Sequence, residues 1–323
     1  MKYRTLGKTG LKVSEIGFGA WSIGGEHYGP TDDEVSISAI HKALDTGVNF
    51  IDTANIYGKG HSEKLVTKAL KSRSEDIIVA TKAGNDYHHG IPVKPNYDAE
   101  YLEFCVNESL QRLETDCLDI LQLHGPDLKL IKMGEIFETL NRFKEQGKIR
   151  FAGISVRSYH EDDEGLLAVA SEHIDVLQIR YNLLEQDANK MLFPNTRANK
   201  VGVIIRSPLL FGLLADRFNP KTRFEPPDHR ALHLAPDILK VYLEQFEEMR
   251  FLFDGSFGTP VQVALRFILS DPAVSVVIPG ARTPEQADMN DSASDMGPLP
   301  DYILEKIHKI AADFEEIGAS KFR

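Results

Sequence analysis

Eight short apolar runs, separated by segments of helical periodicity with recognisable ends in a chain of 323 residues, predict an α/β protein of the (β/α)8 TIM barrel class. The runs are continuous and rich in Ile and Val, as strands buried on both faces must be. Alternation of such strands with helices forces a parallel sheet with right-handed crossovers, and eight units close it where five or six leave it open. Barrels of this kind reach this length as one unit. No stretch rich in Pro, Gly or Ser divides the chain, so residues 1–323 are expected to form a single domain, with an N-terminal hairpin cap ahead of the first strand and a C-terminal helical tail.

The expected strands are Ile16–Gly19, Asn49–Asp52, Ile77–Thr81, Ile120–Leu123, Phe151–Ser155, Val176–Ile179, Val201–Ile205 and Val274–Ile278. Thr31 with Glu34 reads as a capping box opening a helix that stops at Gly47. Leu102, Cys105, Val106, Leu110 and Leu113 recur at helical spacing, and Ile136, Phe137, Leu140 and Phe143 do the same before Gly147. Thr259-Pro260 is a cap followed by Pro at the first helical position. Two connections are longer than the rhythm requires, Gly84 to Pro95 after the third strand and Leu209 to about Pro236 after the seventh. Long connections at this end of a barrel are expected as binding loops or lids.

Charge and composition narrow the function class. Lys and Arg number 37 against 48 Asp and Glu, a formal charge of -11, and no basic block marks a nucleic-acid footprint. No apolar run approaches the ~18 residues of a membrane span, and MKYRTLGKTG has no apolar h-region. Cys105 and Cys117 are too few for a disulfide framework. A cytoplasmic protein acting on a small molecule, away from nucleic acid and membrane, is the expectation; oligomeric state has no sign in the sequence.

Barrel enzymes place their chemistry where strands end. Those positions are Gly19, Asp52, Lys82, His124, Ser155, Gln178, Arg206 and Pro279-Gly280, nearly all of them polar or Gly. Each alone has an ordinary structural reading; together they share one rim. Lys is depleted from strands and costly to bury unpaired, so Lys82 directly after IIVAT implies a partner, which Asp52 on the neighbouring strand is placed to supply. A carbonyl accepting hydride develops negative charge on oxygen that a nearby acid must neutralise. Tyr57, five residues beyond Asp52, supplies a phenol, and an adjacent Lys82 ammonium is expected to lower its proton affinity. His124 is placed to donate to the carbonyl oxygen.

At these residues the chain resembles the aldo-keto reductases. The matching segments are GLKVSEIGFGAW, GVNFIDTANIYGKGHSEKLV, IIVATKAG, LQRLETDCLDILQLHGPD and VVIPGARTPEQ, spread over essentially the whole chain. The resemblance implies a (β/α)8 barrel holding an extended nicotinamide cofactor, with Tyr57 as general acid/base and Asp52, Lys82 and His124 completing a tetrad.

Several cofactor residues follow from the same resemblance. Ser155 and Gln178 fall where relatives bind the nicotinamide carboxamide. The next residue, commonly Asn, is here Val156, and Asn182 is the candidate to replace its contact. Arg206 stands where many relatives put an aromatic ring. Gly19, Trp21, Ser207 and Leu209 are expected along the cofactor path, with Asp52 beneath it. Gly280 to Gln286 resembles the loop and helix start that clasp the adenosine phosphate, and Asn290 would lie near the adenine. Several relatives carry Lys in place of Gly280 and Arg near the place of Gln286; Arg282 remains as partner for a 2′-phosphate, so NADP(H) is expected over a still possible NAD(H).

Trp21, Tyr57, His124 and Tyr87 are the expected substrate contacts. The loop carrying Asn85, Asp86, Tyr87, His88 and His89 suggests a polar wall suited to an aldehyde, ketone or sugar. No metal is expected: adjacent histidines on an extended loop diverge. Gly7-Lys8-Thr9 lacks the earlier Gly of a phosphate loop, Gly17-Phe18-Gly19 is followed by Ser22 where a dinucleotide fingerprint needs Gly, and Tyr302 with Lys306 reads as surface. Two rival functions are a catalytically weak, channel-associated regulatory subunit that binds the cofactor and a metal-assisted barrel hydrolase using Asp52 and His124. The complete tetrad speaks against the first, and the charge of Lys82 against the second.

Overall fold

The eight strands lie parallel, in chain order, in one curled sheet. The computed structural model describes residues 1–25, 28–89, 92–157 and 161–317. The strands are β1 Phe18–Gly19, β2 Phe50–Asp52, β3 Ile78–Ala83, β4 Leu118–His124, β5 Ile149–Ser155, β6 Val176–Arg180, β7 Gly202–Arg206 and β8 Val274–Val277. Parallel bridges join Ile16 to Val277 and Gly19 to Gly280, bringing the first strand's segment against the last. Lys82 lies inside β3 rather than just after it, because the backbone ladder with β4 continues through Lys82 and Ala83.

Helices cover the outside, among them α1 Asp33–Asp45, α2 His61–Leu70, α3 Ala99–Leu113, α4 Glu135–Glu145, α5 Pro260–Leu269, α6 Pro284–Met296 and α7 Asp301–Ile317. The expected cap of α1 shifts by one residue. Asp32, not Thr31, is the N-cap, its Oδ1 accepting from Val35 N at 2.9 Å, while Thr31 Oγ1 donates to Ile23 O. Because α1 begins at Asp33, Glu34 lies one position too early to close a box with Asp32. Thr259 does head a capping box, with Gln262. Tyr302 is exposed on α7, as expected. No helix among the described residues is long and apolar enough to cross a membrane.

The period of two along each strand sets what the barrel contains. Phe50, Ile78, Ala80, Ile120, Val176, Ile204 and Val276 form one buried cluster, and Leu6 and Val13 of the N-terminal hairpin (Tyr3–Thr5 paired antiparallel with Lys12–Ser14) join it from below. The hairpin therefore caps the amino-terminal end of the barrel. One step further along the same faces stand Asp52, Lys82, Gln122, Ser155 and Gln178, all buried. Outward-facing residues such as Leu121, Leu123, Ile154 and Leu177 pack with the helices in the larger core. A polar layer thus sits on an apolar floor, facing the carboxyl ends of the strands.

Outside the barrel, Glu63 on α2 is fully buried and accepts from Arg112 Nε on α3 and from Thr81 Oγ1 on β3, both at 2.6 Å. Of the two long connections, the first forms a small hairpin through Asn85–Asp86 and Lys94–Pro95. The second runs through the turns at Leu210–Ala215 and the short helix Arg230–His233.

Candidate active site

A cavity of about 910 Å³ opens at the carboxyl ends of the strands. Tyr57 and His124 stand in its wall, with Asp52 at its base and Lys82 behind them. Adjacent strands fix the arrangement: Asp52 pairs in register with Ala80 and Lys82 with Gln122. Lys82 Nζ donates to Asp52 Oδ1 at 2.5 Å, to Thr53 O at 2.9 Å and to Tyr57 Oη at 3.2 Å. All three ammonium hydrogens therefore have acceptors, which is how a fully buried lysine is tolerated. The loop after β2 returns Tyr57 over this ammonium, and His124 meets the phenol ring edge to face at 6.1 Å.

Electrostatics assign the protonation states. Burial works against the Lys82 ammonium, but the Asp52 carboxylate and the Tyr57 oxygen together outweigh it and hold the group above the usual lysine range. Burial, with the charges of Lys82 and Arg206, pushes His124 down to about 3, leaving a neutral imidazole. Tyr57 departs from expectation. Lys82 does pull its proton affinity down, but burial, helped by the Asp52 carboxylate, outweighs that pull and holds the phenol above its ordinary value. The resting site is a neutral phenol and a neutral imidazole over a buried ion pair.

The expected cofactor residues come together. Gly19, Trp21, Ser155, Gln178, Arg206, Ser207, Leu209, Gly280, Arg282, Gln286 and Asn290 all line this cavity with Asp52. Ser155 Oγ donates to Gln178 Oε1 at 3.1 Å, while Gln178 Nε2 donates to Asp52 Oδ2 at 2.7 Å. Arg206 Nη2 donates to Val156 O at 3.0 Å. Arg282 spans the loop after β1, donating to Tyr28 O at 2.9 Å and Pro30 O at 2.6 Å. Thr283 caps α6, its side chain accepting from Gln286 N, and Gln286 Oε1 accepts from Arg282 N at 2.8 Å. Asn290 Nδ2 donates to Gly280 O at 3.3 Å.

Two expected contacts fall elsewhere. Tyr87 and His88 lie in a separate surface cleft between α2 and α3, with Lys64, Lys68 and Arg112. The small hairpin of the first connection turns them outward, and among the described residues of that loop Asn85, Val93 and Pro95 reach the central cavity. Asn182, the candidate replacement at the carboxamide, is buried and spent on a turn: its Oδ1 accepts from Leu184 N and Glu185 N, and its Nδ2 donates to Glu185 Oε2.

Other residues in the wall, and His229 packed behind it, escaped sequence reasoning. Tyr28, Phe211 and His229 crowd the Trp21 ring, with centroids at 5.4, 6.4 and 4.4 Å, and Trp21 also stacks on Tyr57 at 6.1 Å. Arg230 lies over Tyr28, held by Asp228. Arg157 joins the wall, tied to the buried Glu164. The length of the second connection was the signal for Phe211, His229 and Arg230, although length alone names no residue. Among the described residues no three His, Cys, Asp or Glu side chains converge as a metal site would require.

Comparison with known proteins places this geometry. The model of the Aldo/keto reductase family matches residues 15–312. Aldo-keto reductase YhdN of Bacillus subtilis is 35% identical over 89% of this chain and 87% of its own. The aldo-keto reductase AKR11C1 from Bacillus halodurans, solved in a holo form, superposes with a TM-score of 0.80 at 29% identity, covering 96% of both chains. The glycerol dehydrogenase AKR11B4 from Gluconobacter oxydans superposes equally well, with a TM-score of 0.80 at 28% identity over 96% of this chain and 95% of that one.

Proposed function

Because the chain belongs to the aldo/keto reductase family and is on that ground an NAD(P)H-dependent oxidoreductase, we propose that it transfers hydride between NADP(H) and a small aldehyde, ketone or sugar, with Tyr57 as general acid/base. One observation carries the reading: the phenol in the cavity wall is 3.2 Å from an ammonium that is itself 2.5 Å from a buried carboxylate.

The residues present fit the cofactor. Ser155 and Gln178 offer a hydroxyl and an amide oxygen side by side, the complement of a carboxamide. Ser22 Oγ in the same wall is buried without a partner among the described residues. At Gly280 a side chain would come within 3.2 Å of that oxygen, so glycine keeps the cradle open. The capped start of α6 and the guanidinium of Arg282 suit phosphate. Arg206 sets positive charge beside the nicotinamide end, which favours the reduced over the cationic oxidised form.

When bound, the nicotinamide supplies hydride to the carbonyl carbon, or removes it from the alcohol. The protein's task is the oxygen. Tyr57 Oη gives its proton to the developing alkoxide, and Lys82 stabilises the phenolate left behind. His124, neutral at all physiological pH, donates a hydrogen bond to the same oxygen and orients it. Asp52 keeps Lys82 charged and aimed. Trp21, Tyr28 and Phe211 enclose the substrate with flat apolar surface, while Asn85 and Arg230 supply polar contacts for hydroxyl groups. Tyr87 has no part in this pocket.

The test is oxidation of NADPH, followed at the reduced-nicotinamide absorbance band, against a panel of aldehydes, ketones and sugars. Turnover of small hydroxylated carbonyls supports the reading. No turnover with any member, in either direction and with either cofactor, contradicts it.

A further inference from the structure

Gln122 is the side chain least expected where it stands. It is fully buried inside the barrel on β4, directly across the ladder from Lys82. The inward residue below it on the same strand, Ile120, belongs to the apolar floor. An apolar side chain would fill that volume without burying an amide. Only half of the amide is satisfied: Nε2 donates to Asp52 Oδ2 at 3.1 Å, while Oε1 has no partner among the described residues. Stability alone does not account for a half-satisfied buried amide.

The satisfied half points at the relay. Asp52 accepts from Lys82 through one oxygen and from Gln122 and Gln178 through the other. A carboxylate only accepts, so Asp52 dictates that both glutamines turn their NH2 groups toward it. In return the two amides fix the carboxylate plane, and with it the direction of the Lys82 ammonium. Gln178 also carries Ser155, leaving Gln122 as the donor dedicated to Asp52.

We propose that Gln122 is a positioning residue of the proton relay: its amide holds the carboxylate oxygen that Lys82 does not take, keeps the ammonium aimed at Tyr57, and sets the pH at which Tyr57 gives up its proton. The inference rests on Tyr57 being the acid/base. The groups facing that phenol are Lys82 and Arg206, which favour phenolate, Asp52, which opposes it, the neutral His124, and Tyr28 across the cavity. Gln122 turns the positive end of its dipole toward Asp52 and so blunts the one opposing charge. Without that donor the carboxylate acts more fully on Lys82 and Tyr57, and the phenol holds its proton more tightly.

Gln122→Met and Gln122→Leu remove the donor while keeping most of the volume. In both, the alkaline limb of kcat/KM for carbonyl reduction is expected to move up by about half a unit to one pH unit, with KM for NADPH within about twofold. The melting temperature is expected to stay level or rise, because the unpaired Oε1 goes too. A structural role would not move the pH profile. A limb that stays in place in both variants, or a melting temperature lower by more than about 5 °C in both, overturns the proposal. If Tyr57→Phe leaves wild-type turnover and its alkaline limb intact, the acid/base reading falls and this inference with it. A Tyr57-dependent limb indifferent to Gln122 overturns the inference alone.

Discussion

Lys82 and Asp52 stand on adjacent strands, two residues out of register, and meet inside the barrel through a 2.5 Å hydrogen bond. Both are buried, Lys82 fully and Asp52 at 2% exposure at the base of the cavity. Breaking such a pair from one side leaves an uncompensated buried charge, at a cost of about 3–5 kcal/mol. Asp52→Asn is therefore expected to lower the melting temperature by several degrees and to cut turnover together with stability. Thermal unfolding of the variant checks this; an unchanged melting temperature would mean that the pair contributes nothing net to the fold.

Arg282 divides its guanidinium between loop and cavity. Its bonds to Tyr28 O and Pro30 O hold it beside the start of α6, where a 2′-phosphate would meet it. Arg282→Gln is expected to raise KM for NADPH by about ten- to a hundredfold, on the scale of one lost charge-assisted contact, and to change KM for NADH much less. Steady-state kinetics with both cofactors decide. Equal losses for the two would make Arg282 a loop tether with no part in cofactor choice.

Asp291, on α6 away from the cavity, is 5% exposed and accepts from Thr46 Oγ1 at 2.6 Å. Burial pushes its carboxyl up to about 7. The sign follows: a carboxyl whose proton is held more tightly in the folded state adds stability below the ordinary carboxylate range. That stability is lost as pH rises toward and through about 7. Asp291→Asn is expected to flatten the decline of melting temperature between acidic and mildly alkaline pH and to raise it at the alkaline end. Identical pH profiles for variant and wild type would count against the burial argument.

Much of the fold is legible in the sequence because barrel interiors obey a period of two. Asp52, Lys82, His124, Ser155 and Gln178 fall on inward positions, and strand ends share one rim whatever the loops do. Gln122 was equally inward-facing, but a single amide in LDILQLH has no partner until Asp52 is placed beside it. Loop residues escape the same logic. Tyr87 turns outward because its hairpin does, a matter of local pairing between Asn85–Asp86 and Lys94–Pro95. Asn182 is consumed by its own turn, as short polar side chains next to backbone donors often are. The Trp21, Tyr28, Phe211 and His229 cluster joins residues about two hundred positions apart, a proximity only tertiary structure supplies. The proton affinity of Tyr57 also ran against expectation, since one strand of sequence names the neighbouring charge but not the depth of burial.

The central claim is that the Tyr57 phenol, held by Lys82, is the group that exchanges a proton with the substrate oxygen. Tyr57→Phe removes one oxygen atom and leaves the ring stacked against Trp21. The direct measurement pairs kcat for carbonyl reduction with NADPH affinity by fluorescence titration in this variant. Turnover is expected to fall by at least about a hundredfold, in the range of lost general acid catalysis, with NADPH affinity within about threefold of wild type. Turnover that survives with affinity intact would contradict the assignment.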